Sequence, residues 1–164
     1  LLENNTLDKI NFEKNFKEEK KNKVNTKKKF LVNINNYFDF LLKKNLSSIE
    51  ISSTKDMLFE VLMARFDILN IHRKSVKNIN SYFKSRPHEI IFFFPNFIET
   101  MIIIATLANI DVNGAKGIIK IKGIFILYFL TSFTWHNDES SSLEKTMTTL
   151  DKYLNQIDKF YKII

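Results

Sequence analysis

Twelve of the eighteen residues from 90 to 107 are Ile, Phe, Met or Leu: Ile90, Ile91, Phe92, Phe93, Phe94, Phe97, Ile98, Met101, Ile102, Ile103, Ile104 and Leu107. A helix of this composition has no broad polar side, so the run predicts a central element on which others pack. Short Ile and Phe runs also suit strands, but the length and the bracketing signals favour a helix over residues 87–108. Pro87 stands where a first helical residue loses no hydrogen bond, and Asn113-Gly114 is a turn signal beyond its end. Pro95 lacks an N–H and its ring meets the carbonyl four residues back, which predicts a kink there. Three glycines and two prolines in 164 residues disfavour a turn-rich β fold, and the chain is expected to be all-α.

Around that run the apolar spacing predicts further helices. Phe30, Leu31, Ile34, Phe38, Leu41 and Leu42 recur at three and four over residues 26–44, and the loop 45–53 follows. Thr54 is the expected cap of a helix carrying Leu58, Val61, Leu62, Arg65, Phe66 and Leu69 to about residue 71. A shorter helix over 74–84 turns Val76, Ile79 and Phe83 inward. After a loop at 109–117, a helix over 118–136 is apolar on several sides, with Gly123 allowing close approach of a partner. Ser141-x-x-Glu144 has the form of a capping box for a last helix carrying Leu143, Met147, Leu150, Tyr153, Leu154, Ile157 and Phe160. A break this short folds the last two helices into an antiparallel hairpin. Residues 118–135 hold Lys120 and Lys122 and fall short of the roughly 20 apolar residues of a spanning helix, so no membrane span is expected.

The hairpin carries more apolar surface than one contact hides. A two-fold interface between two copies is therefore expected, built from Ile118, Phe125, Phe129, Leu143, Met147, Leu150, Leu154 and Ile157. Burial inside a single subunit is the alternative. An apolar or lipid-like small molecule is the other expected partner, in a pocket lined by Phe66, Phe94, Phe97, Met101, Ile104, Phe125 and Phe129, although plain core explains the same residues. Glu99 in so apolar a helix needs a reason: it contacts a ligand, faces water at the kink, or pairs with Lys120 or Lys122.

Chemistry-bearing patterns are sparse. The absence of cysteine excludes disulfides, thiolate metal sites and thiol nucleophiles, and it fits a reducing, cytoplasmic setting. His72, His88 and His136 lie in no metal-ligand spacing, and there is no nucleophile elbow, phosphate-cradling loop or dinucleotide fingerprint. No enzyme activity, metal or cofactor is expected. Asp138 and Glu139 beside His136 either bind an ion or form a solvated loop, and Arg65, Asp67, His72 and Arg73 form either a polar pocket or a surface ion-pair set.

The net charge of +7 is concentrated at the start: residues 1–55 hold twelve Lys against seven acids, with eight Lys between positions 14 and 29. Such a cluster suits phosphate backbones or anionic lipid surfaces, or is a solvated face in a lysine-rich chain.

Three segments carry a family resemblance. Met57-Leu58-Phe59-Glu60-Val61-Leu62-Met63-Ala64-Arg65-Phe66-Asp67, the loop from Ala108 to Gly117, and Trp135-His136-Asn137-Asp138-Glu139-Ser140 with Glu144-Lys145-Thr146-Met147-Thr148-Thr149-Leu150-Asp151 resemble the regulatory domain of TetR-type transcriptional regulators of an alphaproteobacterial branch. Residues 135–151 are also similar to the COQ9 family of lipid-binding proteins in ubiquinone biosynthesis.

The first resemblance implies a TetR-like helical bundle with two parts. Residues 1–45 would be a helix-turn-helix DNA-binding head, and residues 54–164 a regulatory and dimerisation domain. It implies that Thr6-Leu7-Asp8-Lys9-Ile10 starts the first helix of the motif, and that residues 16–24 read DNA. Lys17, Lys20, Lys21 and Lys23 would then lie near DNA, with Lys27, Lys28 and Lys29 on phosphates. The head departs from the pattern: Asn15 stands for the usual glycine turn, Lys17 and Glu18 for small residues, Asn22 for an aromatic, and the first head helix has no counterpart before Thr6. A degenerate or truncated head, impaired in DNA binding, is the expectation, since a reading helix needs its own small core to sit rigidly in the groove.

Overall fold

In the computed structural model the described residues are 2–3, 23–46 and 53–161, and they form six α-helices and one 3₁₀ segment with no strand among them. The helices are α1 (Lys23–Asn45), α2 (Thr54–Ile71), α3 (Arg73–Ser85), α4 (Phe94–Leu107), α5 (Gly114–Asn137) and α6 (Glu144–Tyr161). The 3₁₀ segment, Pro87–Phe93, precedes α4. The expected motif helix starting at Thr6, most of the DNA-reading stretch 16–24, and Lys17, Lys20 and Lys21 lie outside the described residues.

One core is shared by five helices. Phe38 and Leu42 from α1, Leu58, Leu62 and Phe66 from α2, Met101 and Ile104 from α4, Ile124, Leu127 and Trp135 from α5, and Leu150, Leu154 and Ile157 from α6 are all buried in it. A smaller cluster of Leu2, Leu31, Tyr82 and Phe93 ties the start of α1 to α3 and the 3₁₀ segment. The longest packing contact joins α5 and α6, which are linked by residues 138–143 and fold back on each other as an antiparallel hairpin.

Three local expectations change. The run 87–108 is not one kinked helix: Pro95 occupies the first turn of α4, where its missing N–H costs nothing, and the seven residues before it tighten into 3₁₀ form. Nor is the run central throughout, because Ile90, Ile91, Phe92, Phe94 and Ile102 are exposed. The cap of α2 is Ser53 rather than Thr54, its hydroxyl accepting from the Asp56 N–H at 3.1 Å.

The α4–α5 turn is built by two backbone devices. Asn109 adopts φ +55°, and the N–H groups of Asn109 and Ile110 reach back to the carbonyls of Thr106 and Ala105. This satisfies the free carbonyls of α4 with a residue type that tolerates the left-handed region. Gly117 lies against the Val112 backbone so closely that a Cβ would overlap it. The helix consequently starts at Gly114 instead of residue 118.

Candidate functional site

The 24 residues of α5 span roughly 36 Å at 1.5 Å per residue. Its inward row is Gly117, Ile124, Leu127, Thr131 and Trp135. The opposite row, at spacings of three and four, contains Ile118 (57% exposed), Ile119 (49%), Phe129 (51%), Leu130 (37%) and Phe133 (58%), interrupted by exposed Lys122. An aromatic ladder runs along this side. Phe94 of α4 meets Phe125 edge-on at 5.6 Å, Phe125 stacks on Phe129 at 6.1 Å, and Phe129 meets Phe133 edge-on at 4.9 Å. Exposed apolar side chains at both ends of one helix face, joined by the half-buried Phe125 and lying on a well-packed hairpin, are the kind of surface that marks association.

The residues singled out from sequence are dispersed by the fold. Of the pocket set, Phe66, Met101 and Ile104 are fully enclosed in the core, with Phe66 stacked on Tyr128 at 5.4 Å. Phe97 packs on the smaller cluster, Phe94 and Phe129 face outward, Phe125 joins them, and Glu99 is exposed. Of the interface set, Leu143, Leu150, Leu154 and Ile157 are buried within their own subunit, whereas Ile118, Phe129 and Met147 are exposed and Phe125 is half-buried. Lys23 opens α1; Lys28 and Lys29 are exposed on it, with Lys28 above the Phe92 ring at 5.3 Å and half-buried Lys27 above Tyr82 at 5.1 Å. Pro87–Leu107 and Gly114–Asn137 are both long and apolar enough to cross a bilayer, and only 33% and 28% of their most apolar windows are buried.

Two polar constructions lie apart from the stripe. Between α1, α2 and α4, Arg65 is 1% exposed and its Nη1 lies 2.8 Å from Asp39 Oδ1. Arg65 Nη2 donates to Asn35 Oδ1 at 2.6 Å, Asn35 donates to Thr100 Oγ1 at 2.8 Å, and Thr100 donates to Asp39 Oδ2 at 2.9 Å. Burial pushes the Asp39 carboxyl above its usual range, against the opposing pull of Arg65, Thr100 and Lys43. Sequence reading found Arg65 but missed Asn35, Asp39 and Thr100. The available signal was Asn35 and Asp39 four apart among the inward residues Leu31, Ile34, Phe38 and Leu42.

The second construction closes the hairpin. Asp138 Oδ1 accepts from the Ser140 N–H (3.2 Å) and hydroxyl (2.5 Å), and Oδ2 from the Thr146 N–H and hydroxyl, both at 2.8 Å. Ser140 Oγ in turn accepts from the Glu144 N–H at 3.1 Å. The α6 start is thus held by Asp138 and Ser140, and the Ser141/Glu144 box does not form because Ser141 sits in an exposed turn. Burial raises the Asp138 pKa, but the bonds from Ser140 and Thr146 outweigh it and bring it down to about 2. Asp138 is therefore neither a loop solute nor a free ligand. Arg73 binds the carbonyls of Trp135 (2.8 Å), Asp138 (2.6 Å) and His136 (3.3 Å) and lies over the Trp135 ring at 4.9 Å, capping the end of α5.

Beside this corner is an open polar cleft of about 380 Å³, bordered by Arg73, Lys74, Lys77, Asp138 and Glu139. Burial and the neighbouring Lys84, Lys77 and Arg73 hold the His136 pKa below its usual value. Among the described residues no three metal-ligating side chains come together. Compared with known proteins, the chain matches no family model, no curated protein and no solved structure.

Proposed function

We propose that the chain is the regulatory and dimerisation body of a TetR-like transcriptional regulator, acting in the cytoplasm as a two-fold homodimer joined through the outward face of α5. The observation that carries this reading is the apolar stripe Ile118, Ile119, Phe129, Leu130 and Phe133 on a hairpin whose inner face is already filled. An isologous contact lays that stripe on its own copy, antiparallel, which is how a closed dimer hides it. A strip roughly 36 Å by 10 Å gives only about 360 Å² per subunit, less than half the roughly 800 Å² of a standard interface, so flanking residues such as Phe94 and Met147 join it. On this reading the exposed Lys28 and Lys29 of α1 contact DNA phosphates, with the degenerate head limiting base readout. No catalytic step is assigned.

Sedimentation equilibrium tests the dimer: the wild-type chain is expected at twice 19.4 kDa, and Phe129→Lys/Phe133→Lys at the monomer mass with helicity retained. Burying charge at two exposed aromatic positions of the stripe weakens association by roughly a hundredfold or more. A wild-type monomer at high micromolar concentration refutes the dimer. Regulator activity is tested separately by binding to promoter duplexes against random sequence over a salt series; equal weak binding to both sinks it.

A second reading, a lipid-binding accessory protein, is favoured by the poorly buried apolar runs Pro87–Leu107 and Gly114–Asn137. It predicts acyl or isoprenoid lipid in organic extracts of the purified protein, and a delipidated protein that fails to rebind such lipid counts against it.

A further inference from the structure

The segment leading into α4 places large apolar side chains in water beside cations. Ile90, Ile91, Phe92 and Phe94 are 40%, 71%, 52% and 48% exposed. Around them, Lys28 lies over the Phe92 ring, while Lys27 and Arg86 lie over the Tyr82 ring at 5.1 and 4.8 Å. Among the described residues, Glu89 adds negative charge nearby, accepting from Tyr82 Oη at 2.6 Å with Arg86 Nε 4.0 Å away.

We infer that the Pro87–Phe93 segment is a membrane-docking wedge that inserts Ile90, Ile91 and Phe92 into an anionic bilayer surface while Lys27, Lys28 and Arg86 meet the lipid phosphates. The inference goes beyond the regulator reading and does not depend on it. Charge selects the occupant. A second copy laid on this patch brings a second set of Lys28 and Arg86 into one contact, whereas anionic headgroups complement both. Size agrees, since seven 3₁₀ residues at about 2 Å each span roughly 14 Å, too little for a standard protein interface but enough for shallow insertion at the headgroup boundary. Pro87 and Pro95 bracket the segment and hold its backbone, so the apolar tips are presented without an ordering cost.

The test is co-sedimentation of the full chain with vesicles of phosphatidylcholine alone and of phosphatidylcholine mixed with phosphatidylglycerol. Binding is expected to the mixed vesicles, to fall as salt rises, and to weaken about tenfold or more in Ile91→Glu/Phe92→Glu, because two inserted side chains are lost. Both residues are exposed, so the variant keeps its circular dichroism spectrum. Lys28→Glu weakens binding in the same sense. Phe129→Lys/Phe133→Lys retains it, so a failed dimer reading leaves this result standing. No binding to mixed vesicles overturns the inference, and so does equal binding to neutral ones. Binding that duplex DNA displaces but that Ile91→Glu/Phe92→Glu leaves intact assigns the cations to nucleic acid and also overturns it.

Discussion

Replacing Asp138 with alanine tests how the α5–α6 hairpin is closed. The carboxylate accepts four hydrogen bonds, two of them from Thr146, which is fully buried. Loss of an N-terminal cap costs about 1 kcal/mol, and a buried donor left without a partner costs about 1–3 kcal/mol, so the variant should lose about 2–4 kcal/mol at neutral pH. The pH dependence supplies an independent check. Asp138 falls from 3.8 to about 2 on folding despite the opposing effect of burial. At about 1.4 kcal/mol per pH unit this is worth roughly 2 kcal/mol, reduced to roughly 1–2 kcal/mol because Asp138 stands beside an open polar cleft. The group's folded pKa is depressed, so its contribution is complete above about pH 4 and is lost as pH falls toward 2. The gap between wild type and Asp138→Ala should therefore narrow by roughly 1–2 kcal/mol between neutral pH and about pH 2. Urea unfolding followed by circular dichroism and by the fluorescence of Trp135, the only tryptophan, measures both quantities. A neutral-pH loss under about 0.5 kcal/mol, or a gap that stays constant in acid, refutes the reasoning.

Further outcomes follow from the other packed groups. Arg65→Met leaves the Asp39 carboxyl buried without its partner and should destabilise by about 3–5 kcal/mol, with the double variant Arg65→Met/Asp39→Leu recovering most of the loss in denaturant titrations. Gly117→Ala drives a methyl into the Val112 backbone and should cost about 1–3 kcal/mol or more, whereas Gly114→Ala, with open space but φ +64°, should cost about 1 kcal/mol; thermal melts rank the two. Arg73→Ala uncaps three carbonyls at the end of α5 and removes the cation over Trp135, so tryptophan emission should shift to the red and unfolding should need about 1–3 kcal/mol less.

Much of the helical frame was legible in the spacing of apolar residues. Leu31, Phe38 and Leu42 of α1, and Leu58, Leu62, Phe66 and Leu69 of α2, were placed on inward faces by their recurrence at three and four, and they are buried there. Caps were read less well. Ser53 and Thr54 are both good capping types, and Ser140, Ser141 and Ser142 offer three hydroxyls in a row. Which one meets the free N–H groups depends on where the chain turns, and spacing does not encode that. The pocket and interface sets were the least legible, because an apolar side chain reads the same whether it faces its own core or a partner. Phe66 and Phe129 share a residue type, yet one is enclosed and the other half in water.

The sequence by itself determined that this chain is helical, that its last two long helices pair, and that its charge lies near its start, because each follows from local periodicity, breaker content and composition. Only the tertiary structure decided that the apolar run 87–107 passes from 3₁₀ to α form between Phe93 and Phe94 and leaves Ile91 and Phe92 in water. It also decided that Asp39 pairs with Arg65 inside the core, and that α5 keeps one face unfilled. Those outcomes depend on how many faces each helix can cover at once: the interior has room for the inward row of α5 and part of α4, and the remaining apolar surface is left for whatever the protein binds.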